Sequence, residues 1–155
     1  MDLTFRPITE SDSAFLTRVY ASTREMELAA VPWTPQQKSE FLQQQFDAQH
    51  QYYMEQFKQA RFQIILLDGE PVGRLYIDYR ENEIRLIDIA LLTEHRGKGL
   101  GKKLMKDILA EGQNRNAPVT IHVEKNNPAM RLYHRLGFEK LEDQGVYDLM
   151  EWRPK

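Results

Sequence analysis

Several short runs in which apolar and polar residues alternate predict β-strands. Alternation at Leu3 and Phe5 predicts a short first strand. Six further strands are predicted at residues 61–67, 72–79, 83–92, 119–123, 138–142 and 146–152. Reversals at 68–71 and 81–82 join the second, third and fourth strands into an antiparallel meander, and a turn at 143–145 makes a hairpin of the last two.

Apolar residues at spacings of three and four predict helices between these strands. The four predicted helices run from residues 9–12 to about 24, from 34 to about 57, from 99 to 112–116, and from 129 to 136. The segment 25–35 carries Trp33 between two prolines and is predicted as a loop or a broken helix. The run at 119–123 follows a helix, so we expect it to lie parallel to the strand that ends at Leu92.

The pattern predicts an α/β fold of the α+β kind, with a mixed, mostly antiparallel central sheet of about seven strands flanked by about four helices. At 155 residues, the chain is expected to form a single domain over residues 1–155. A composition of 41% hydrophobic and 28% charged residues is typical of a soluble globular protein. No apolar signal core and no apolar run of about 18 residues are present, so a cytoplasmic protein with no membrane partner is expected.

The residue types present exclude or disfavour several chemistries. There is no cysteine, which excludes a thiol nucleophile. None of the four serines lies in a Gly-x-Ser-x-Gly motif, and the four histidines lack the i, i+4 pairing of a zinc helix, so no metal is expected. The net charge of −2 argues against a nucleic-acid partner.

The stretch from Arg96 to Lys106 carries five cations and three glycines, and the first acid after it is Asp107. It follows an apolar strand and opens a helix near Gly99, whose unpaired amides and positive dipole end favour an anion. The spacing fits neither a P-loop nor a dinucleotide-binding fingerprint. The residues alone leave two interpretations, an anion-binding site or a solvated cationic helix face.

Two motifs resemble those of a known family. The pattern Arg96-x-x-Gly99-x-Gly101 between a strand and a helix resembles the acyl-CoA pyrophosphate loop of the GNAT N-acyltransferase superfamily. Downstream, the second GNAT signature, Asn-x-x-Ala-x-x-Leu-Tyr-x-x-x-Gly-Phe, is matched at Asn126, Ala129, Leu132, Tyr133, Gly137 and Phe138. The element order is similar to that of the family over residues 3–152.

The resemblance implies an N-acetyltransferase that moves an acetyl group directly from acetyl-CoA, its co-substrate, to a primary amine in a ternary complex. The amine belongs to a small molecule, a peptide or a protein. The alternative is a non-catalytic acyl-CoA-binding or interaction module on the same fold. Family members often dimerise, so a homodimer is a further possibility that the sequence does not decide.

The resemblance also implies where acyl-CoA binds. Backbone groups of a strand end are expected to pair with the pantetheine amides, at Ile89, Ala90 and Leu91. Loop amides are expected to hold the pyrophosphate, at Gly97, Lys98, Gly99, Leu100, Gly101 and Lys102. Arg96 is expected to brace this loop. Either Asn126 or Asn127 contacts the pantetheine arm, and Asn127 is slightly favoured.

Tyr133 matches the family tyrosine that protonates the departing thiolate, a role that suits a phenol with a pKa of about 10. A backbone N–H near Leu91 is expected to polarise the thioester carbonyl. The candidates for the base are Asp88, Glu124 and His122. The candidates for acceptor binding are Glu25, Glu27, Trp33, Tyr52 and Tyr53. The helix over residues 34–57 also fits a simpler interpretation as an amphipathic cover helix.

Overall fold

The computed structural model describes residues 2–155. Its strands are β1 Leu3–Pro7, β2 Arg61–Leu67, β3 Glu70–Tyr79, β4 Ile84–Leu91, β5 Val119–Glu124, β6 Glu139–Gln144 and β7 Tyr147–Trp152. Its α-helices are α1 Ser13–Ala29, α2 Pro35–Gln56, α3 Leu100–Arg115 and α4 Met130–Arg135, and short 3-10 turns occur at Glu10–Asp12 and Thr93–His95.

The strands form one seven-stranded sheet in the order β1-β2-β3-β4-β5-β7-β6. The pairs β1–β2, β5–β7 and β6–β7 are antiparallel, whereas β4 and β5 are parallel. Short turns connect β2 to β3 and β3 to β4, which are neighbours in the sheet, so these three strands form a meander. The predicted fold class, the meander and the parallel β5 are therefore confirmed.

The chain groups into two compact units. The first contains residues up to Tyr76 together with Ile89–Arg96, and its buried core includes Leu16, Val19, Phe46, Ile64, Ile65 and Leu75. The second contains Ile77–Asp88 together with Gly97–Lys155, and its buried core includes Leu104, Met105, Ile108, Val119, Ile121, Phe138 and Met150. The expectation of one domain over residues 1–155 stays a prediction.

The first helix differs most from the prediction. It ends at Ala29 rather than near residue 24, so the loop or broken helix predicted for 25–35 was wrong over residues 25–29, which continue the helix. The extension is understandable because no glycine or proline occurs between Arg24 and Ala29, and because Leu28 is buried. A 3-10 turn over Glu10–Asp12 precedes the helix.

The last helix and the last hairpin turn also differ from the predicted bounds. The last helix is Met130–Arg135, one residue shorter at each end than predicted, while Gly137 has the expected positive φ, at +102°. The hairpin turn lies at 145–146, not at 143–145, because residues 143 and 144 still belong to β6 and Gly145 has a φ of +83°. Across residues 2–155, no helix combines the length and the hydropathy that a membrane span requires.

Asp12 anchors the start of α1 and offers a test of stability. Arg6 donates to both of its carboxylate oxygens at 2.8 Å, and the Thr9 amide donates to Oδ2 at 2.8 Å. The hydrogen bond from Arg6 is the main reason that the pKa of Asp12 falls from 3.8 to about 2. We expect Asp12→Asn to lower the free energy of unfolding at pH 7 by about 1–2 kcal/mol.

The pH dependence of this effect has a defined sign. Because the folded-state pKa lies below the unfolded value, the stabilisation is complete above about pH 5 and is lost as pH falls toward the folded pKa. Urea unfolding of the wild type and of Asp12→Asn at pH 7 and near pH 2.5 measures this effect. The difference in the free energy of unfolding between the two proteins should be smaller near pH 2.5 than at pH 7. An equal difference at the two pH values would contradict the stabilising role of ionised Asp12.

Candidate functional site

The segment between β4 and α3 has a backbone that suits glycine. After the 3-10 turn, Gly97 and Gly99 have φ values of +73° and +81°. Positive φ is costly for a residue with a Cβ atom, so glycine at these positions avoids strain. The helix α3 begins at Leu100, directly after Gly99, in agreement with the predicted helix start.

Gly101 requires a different explanation. It lies in the first turn of α3 without a positive φ, and a Cβ added there would meet no heavy atom of residues 2–155 within 4 Å other than its chain neighbours and the adjacent backbone of its own helix. Glycine in a helix costs about 0.5–1 kcal/mol relative to alanine. Neither local conformation nor packing among the described residues accounts for that cost, which favours the close approach of a ligand to this turn.

The same turn is suited to an anion. The amides of Leu100, Gly101 and Lys102 precede the first intrahelical bond, which Lys103 N donates to the Gly99 carbonyl at 3.0 Å. The first turn contains no acidic residue and no side-chain cap. Lys103 forms an exposed ion pair with Asp107 at 3.2 Å. A phosphate group would therefore meet unpaired amides, the positive end of the helix dipole and nearby lysines.

Arg96, directly before Gly97 in the chain, is held at two points. Its Nε donates to the Leu91 carbonyl at 3.0 Å, and its terminal nitrogen donates to Ser22 Oγ at 3.1 Å. The guanidinium group is thus tied to the end of β4 and to α1. This geometry suits the predicted bracing role, and it includes a residue, Ser22, that sequence analysis missed because no local pattern points to it.

The end of β4 approaches β3 closely at Gly73. A Cβ atom at this position would collide with the Ala90 carbonyl oxygen, so no other residue fits here without a backbone shift. Leu92 N donates to the Val72 carbonyl at 2.9 Å, so the two segments remain hydrogen-bonded beside this contact. Gly73 was not predicted as part of the site, although a glycine inside a predicted strand is a known signal of close backbone approach.

Tyr133 lies on α4 with only 5% of its surface exposed. Its ring packs edge-on against Phe138, with 5.8 Å between ring centroids. Burial, and secondarily the negative charge of Asp88, raises the pKa of Tyr133 to about 12. The charge of Asp88, one of the three predicted base candidates, therefore acts on the predicted general acid.

His122 is in a different environment. Arg85 donates to His122 Nδ1 at 3.2 Å and to Thr120 Oγ1 at 2.8 Å, which places these side chains on one face of the sheet. The register pairs Leu86 with Ile121 on the opposite face, and strand alternation assigns Asp88 to that face as well. Burial and the nearby Arg85 charge lower the pKa of His122, which favours the neutral imidazole.

Glu124 and the two asparagines follow one another at the end of β5. Glu124 is half-buried, and its carbonyl accepts a hydrogen bond from Asn127 N at 2.9 Å. Asn127 Oδ1 accepts from Ala129 N at 2.8 Å and so caps the approach to α4. Asn126 is exposed in the turn. Because the side-chain carbonyl of Asn127 is held by this bond, its side-chain NH2 group faces no such constraint and can donate to a ligand.

The predicted acceptor-site aromatic residues form two groups. Trp33 is 41% exposed and packs edge-on against Phe41 with 5.2 Å between ring centroids. Tyr52 is tilted against Tyr53 at 6.1 Å, on the far half of α2. Phe41 and Tyr52 are about 16 Å apart along a helix axis. The structure thus does not join Trp33 and the tyrosines in one ring cluster.

The two predicted acidic acceptor residues lie in the last part of α1 and have partners of their own. Glu25 accepts a long hydrogen bond from Thr93 Oγ1 at 3.5 Å, and Glu27 pairs with Arg24 at 3.1 Å. In α2, Phe46 is the buried residue among exposed polar neighbours, which suits the simpler interpretation as a cover helix. Within residues 2–155, no cluster of three His, Asp or Glu side chains is arranged to hold a metal ion.

Comparison with known proteins gives matches in both sequence and fold. The model of the acetyltransferase (GNAT) family matches residues 22–138. Mycothiol acetyltransferase from Thermobifida fusca (strain YX) is 36% identical over 84 residues, which cover 53% of this chain and 23% of that protein. The 5-NmdU N-acetyltransferase of Pseudomonas phage PaMx11 is 38% identical over 78 residues, which cover 47% of this chain and 54% of that protein. The chain thus spans about a quarter and about half of these relatives.

A solved structure supports the fold over almost the full length. The PaiA N-acetyltransferase from Thermoplasma acidophilum, in complex with coenzyme A, superposes with a TM-score of 0.71 over 99% of both chains. Its sequence is 16% identical, so this likeness concerns the fold alone.

Proposed function

Because the chain belongs to the acetyltransferase (GNAT) family, we propose that it transfers an acetyl group directly from acetyl-CoA to a primary amine in a ternary complex. The observation that carries this proposal is the first turn of α3, where Gly101 leaves open space beside unpaired amides and no acidic residue. That arrangement fits the pyrophosphate of an acyl-CoA. The proposal includes one catalytic domain over residues 1–155.

The residues that would hold acetyl-CoA come from three segments. Amides and lysines hold the pyrophosphate, at Gly97, Lys98, Gly99, Leu100, Gly101 and Lys102. Backbone groups at the end of β4 pair with the pantetheine arm, at Ile89, Ala90 and Leu91. The amide nitrogen of Asn127, or the exposed Asn126, donates to the same arm. When bound, acetyl-CoA supplies a thioester-activated acetyl group.

Tyr133 acts as the general acid. Its pKa of about 12 means that the phenol keeps its proton at neutral pH, which is the state that an acid requires before the thiolate departs. A backbone N–H near Leu91 polarises the acyl carbonyl. Neither role needs a metal ion or a thiol nucleophile.

Asp88 is the favoured base among the three candidates. Its charge acts on Tyr133, so it lies near the proposed acid, and strand alternation assigns it to the opposite sheet face from His122. The Nδ1 atom of His122 already accepts a hydrogen bond from Arg85. Glu124 remains the second candidate, at the end of β5.

The acceptor is proposed only as a primary amine. The names of the two relatives refer to two different compounds, mycothiol and 5-NmdU, so neither name specifies the amine for this chain. At pH 7, an α-amine with a pKa of about 8 is neutral in roughly one molecule in ten, and a lysine amine with a pKa of about 10.4 in roughly one in 2,500. Low-pKa amines therefore need less help from a base.

A thiol-release assay tests this function. The protein is mixed with acetyl-CoA and a panel of α-amino peptides, lysine peptides and small primary amines, and free CoA thiol is followed with a thiol-reactive dye. At least one amine should give turnover well above acetyl-CoA hydrolysis, with the acetylated amine found by mass spectrometry. CoA binding by calorimetry without turnover on any amine would contradict the proposal and favour a non-catalytic acyl-CoA-binding module.

A further inference from the structure

One face of α1 contacts the segment that precedes the glycine loop. Arg18, Ser22 and Glu25 are spaced by four and three residues, so they lie on one side of the helix. Arg18 donates to Glu94 at 2.8 Å, Ser22 accepts from Arg96 at 3.1 Å, and Glu25 accepts from Thr93 at 3.5 Å. Each contact reaches a different residue within 93–96.

These three contacts differ in strength. In the pair formed by Arg18 and Glu94, both side chains are more than half exposed, so this ion pair contributes little to holding the segment 93–96 against α1. The contact between Thr93 and Glu25 is at the limit of hydrogen-bond length. Ser22, in contrast, is only 7% exposed, and its partner is a charged donor. Ser22 is therefore the dominant contact of this helix face.

The Ser22 hydroxyl has a fixed orientation. Its single proton is donated to the Val19 carbonyl at 2.7 Å, which leaves an oxygen lone pair to accept from Arg96. The guanidinium group is planar, and its Nε is bound to the Leu91 carbonyl at the same time. Two acceptors on two different elements thus fix both the position and the plane of this group.

We propose that Ser22 is a positioning residue for acyl-CoA binding. It holds the Arg96 guanidinium group, and Arg96 is covalently followed by Gly97, where the proposed pyrophosphate loop begins. A loop fixed at its first residue loses less conformational freedom when its amides bind a phosphate. Ser22 acts through Arg96 and contacts no substrate, and this inference rests on the proposed function.

The variant Ser22→Ala tests the proposal. We expect the Kd for CoA and the KM for acetyl-CoA to rise about fivefold to tenfold, with kcat within about twofold, because the lost hydrogen bond affects the ligand only indirectly, through Arg96. Thr23→Ala is a matched control. The Thr23 hydroxyl donates to the Tyr20 carbonyl at 2.6 Å in the same way as Ser22 does to Val19, but it is exposed and has no bond to Arg96. The affinity of the Thr23→Ala variant for CoA should equal that of the wild type.

Two further measurements separate positioning from a general structural role. Ser22→Thr retains a hydroxyl group and should restore most of the CoA affinity. In a double-mutant cycle, Ser22→Ala should add nothing to the CoA-binding loss of Arg96→Ala, because it acts through that residue. Additive losses in the cycle, or an unchanged Kd in Ser22→Ala, would overturn the positioning role alone. A wild-type protein that does not bind CoA would overturn this inference and the proposed function together.

Discussion

Replacing Tyr133 by phenylalanine is expected to lower kcat by about 100-fold or more, with KM for acetyl-CoA changed by less than about twofold. The substitution removes the proton of the proposed general acid and keeps the ring that packs against Phe138. In the wild type, the phenol stays protonated over the physiological pH range because its pKa is about 12. The measurement is steady-state kinetics with an acceptor identified in the amine panel.

A second buried tyrosine provides the control for this experiment. Tyr20 is 4% exposed, and its hydroxyl donates to Gln45 Oε1 at 3.0 Å. Tyr20→Phe removes a buried hydroxyl group that has no proposed catalytic role, so it should reduce stability slightly and leave kcat unchanged. Full turnover by Tyr133→Phe with a validated acceptor would show that the general-acid assignment is wrong.

Gly101→Ala is expected to change stability and ligand affinity in opposite directions. The added Cβ atom has open space in the protein and occupies an ordinary helical position, so the free energy of unfolding should rise by about 0.5 kcal/mol. The same atom would occupy the space proposed for the pyrophosphate. We therefore expect the Kd for CoA to rise by about tenfold, measured by calorimetry alongside thermal unfolding.

Gly112, in the same helix, supplies a control in which alanine is expected to lower stability and leave CoA binding unchanged. A Cβ atom there would lie 2.9 Å from the Trp152 ring and 3.0 Å from the Ala117 carbonyl oxygen. Gly112→Ala should lower the free energy of unfolding by about 1–3 kcal/mol through overpacking, while the folded protein keeps its CoA affinity. If Gly101→Ala binds CoA as tightly as the wild type does, the first turn of α3 is not the pyrophosphate site.

The parts of the candidate site that sequence analysis identified are those encoded by short, local patterns. The glycine spacing at 97, 99 and 101 follows from a turn whose backbone conformation is set within a few residues. Tyr133 was recognised because residues 126–138 resemble a family motif, in which Gly137, with its positive φ, closes the helix. Such features can be predicted from the sequence because the residues that determine the local conformation are neighbours in the chain.

Other features depend on residues far apart in the sequence. Ser22 and Arg96 are joined by a hydrogen bond across 74 positions, and no local pattern marks either as the partner of the other. Gly73 meets the Ala90 carbonyl only because β3 and β4 are neighbours. The pKa of Tyr133 depends on its burial and on Asp88, both of which are set by packing.

The sequence by itself determined the strand and helix pattern, the glycine turn and the tyrosine motif, because periodicity, turn chemistry and helix termination act over a few residues. Only the tertiary structure decided that α1 continues to Ala29, that Ser22 holds Arg96, and that His122 pairs with Arg85 rather than facing the side of Asp88. These outcomes depend on which strands become neighbours and which faces become buried. Such contacts are set by the packing of the folded chain and not by any short segment of it.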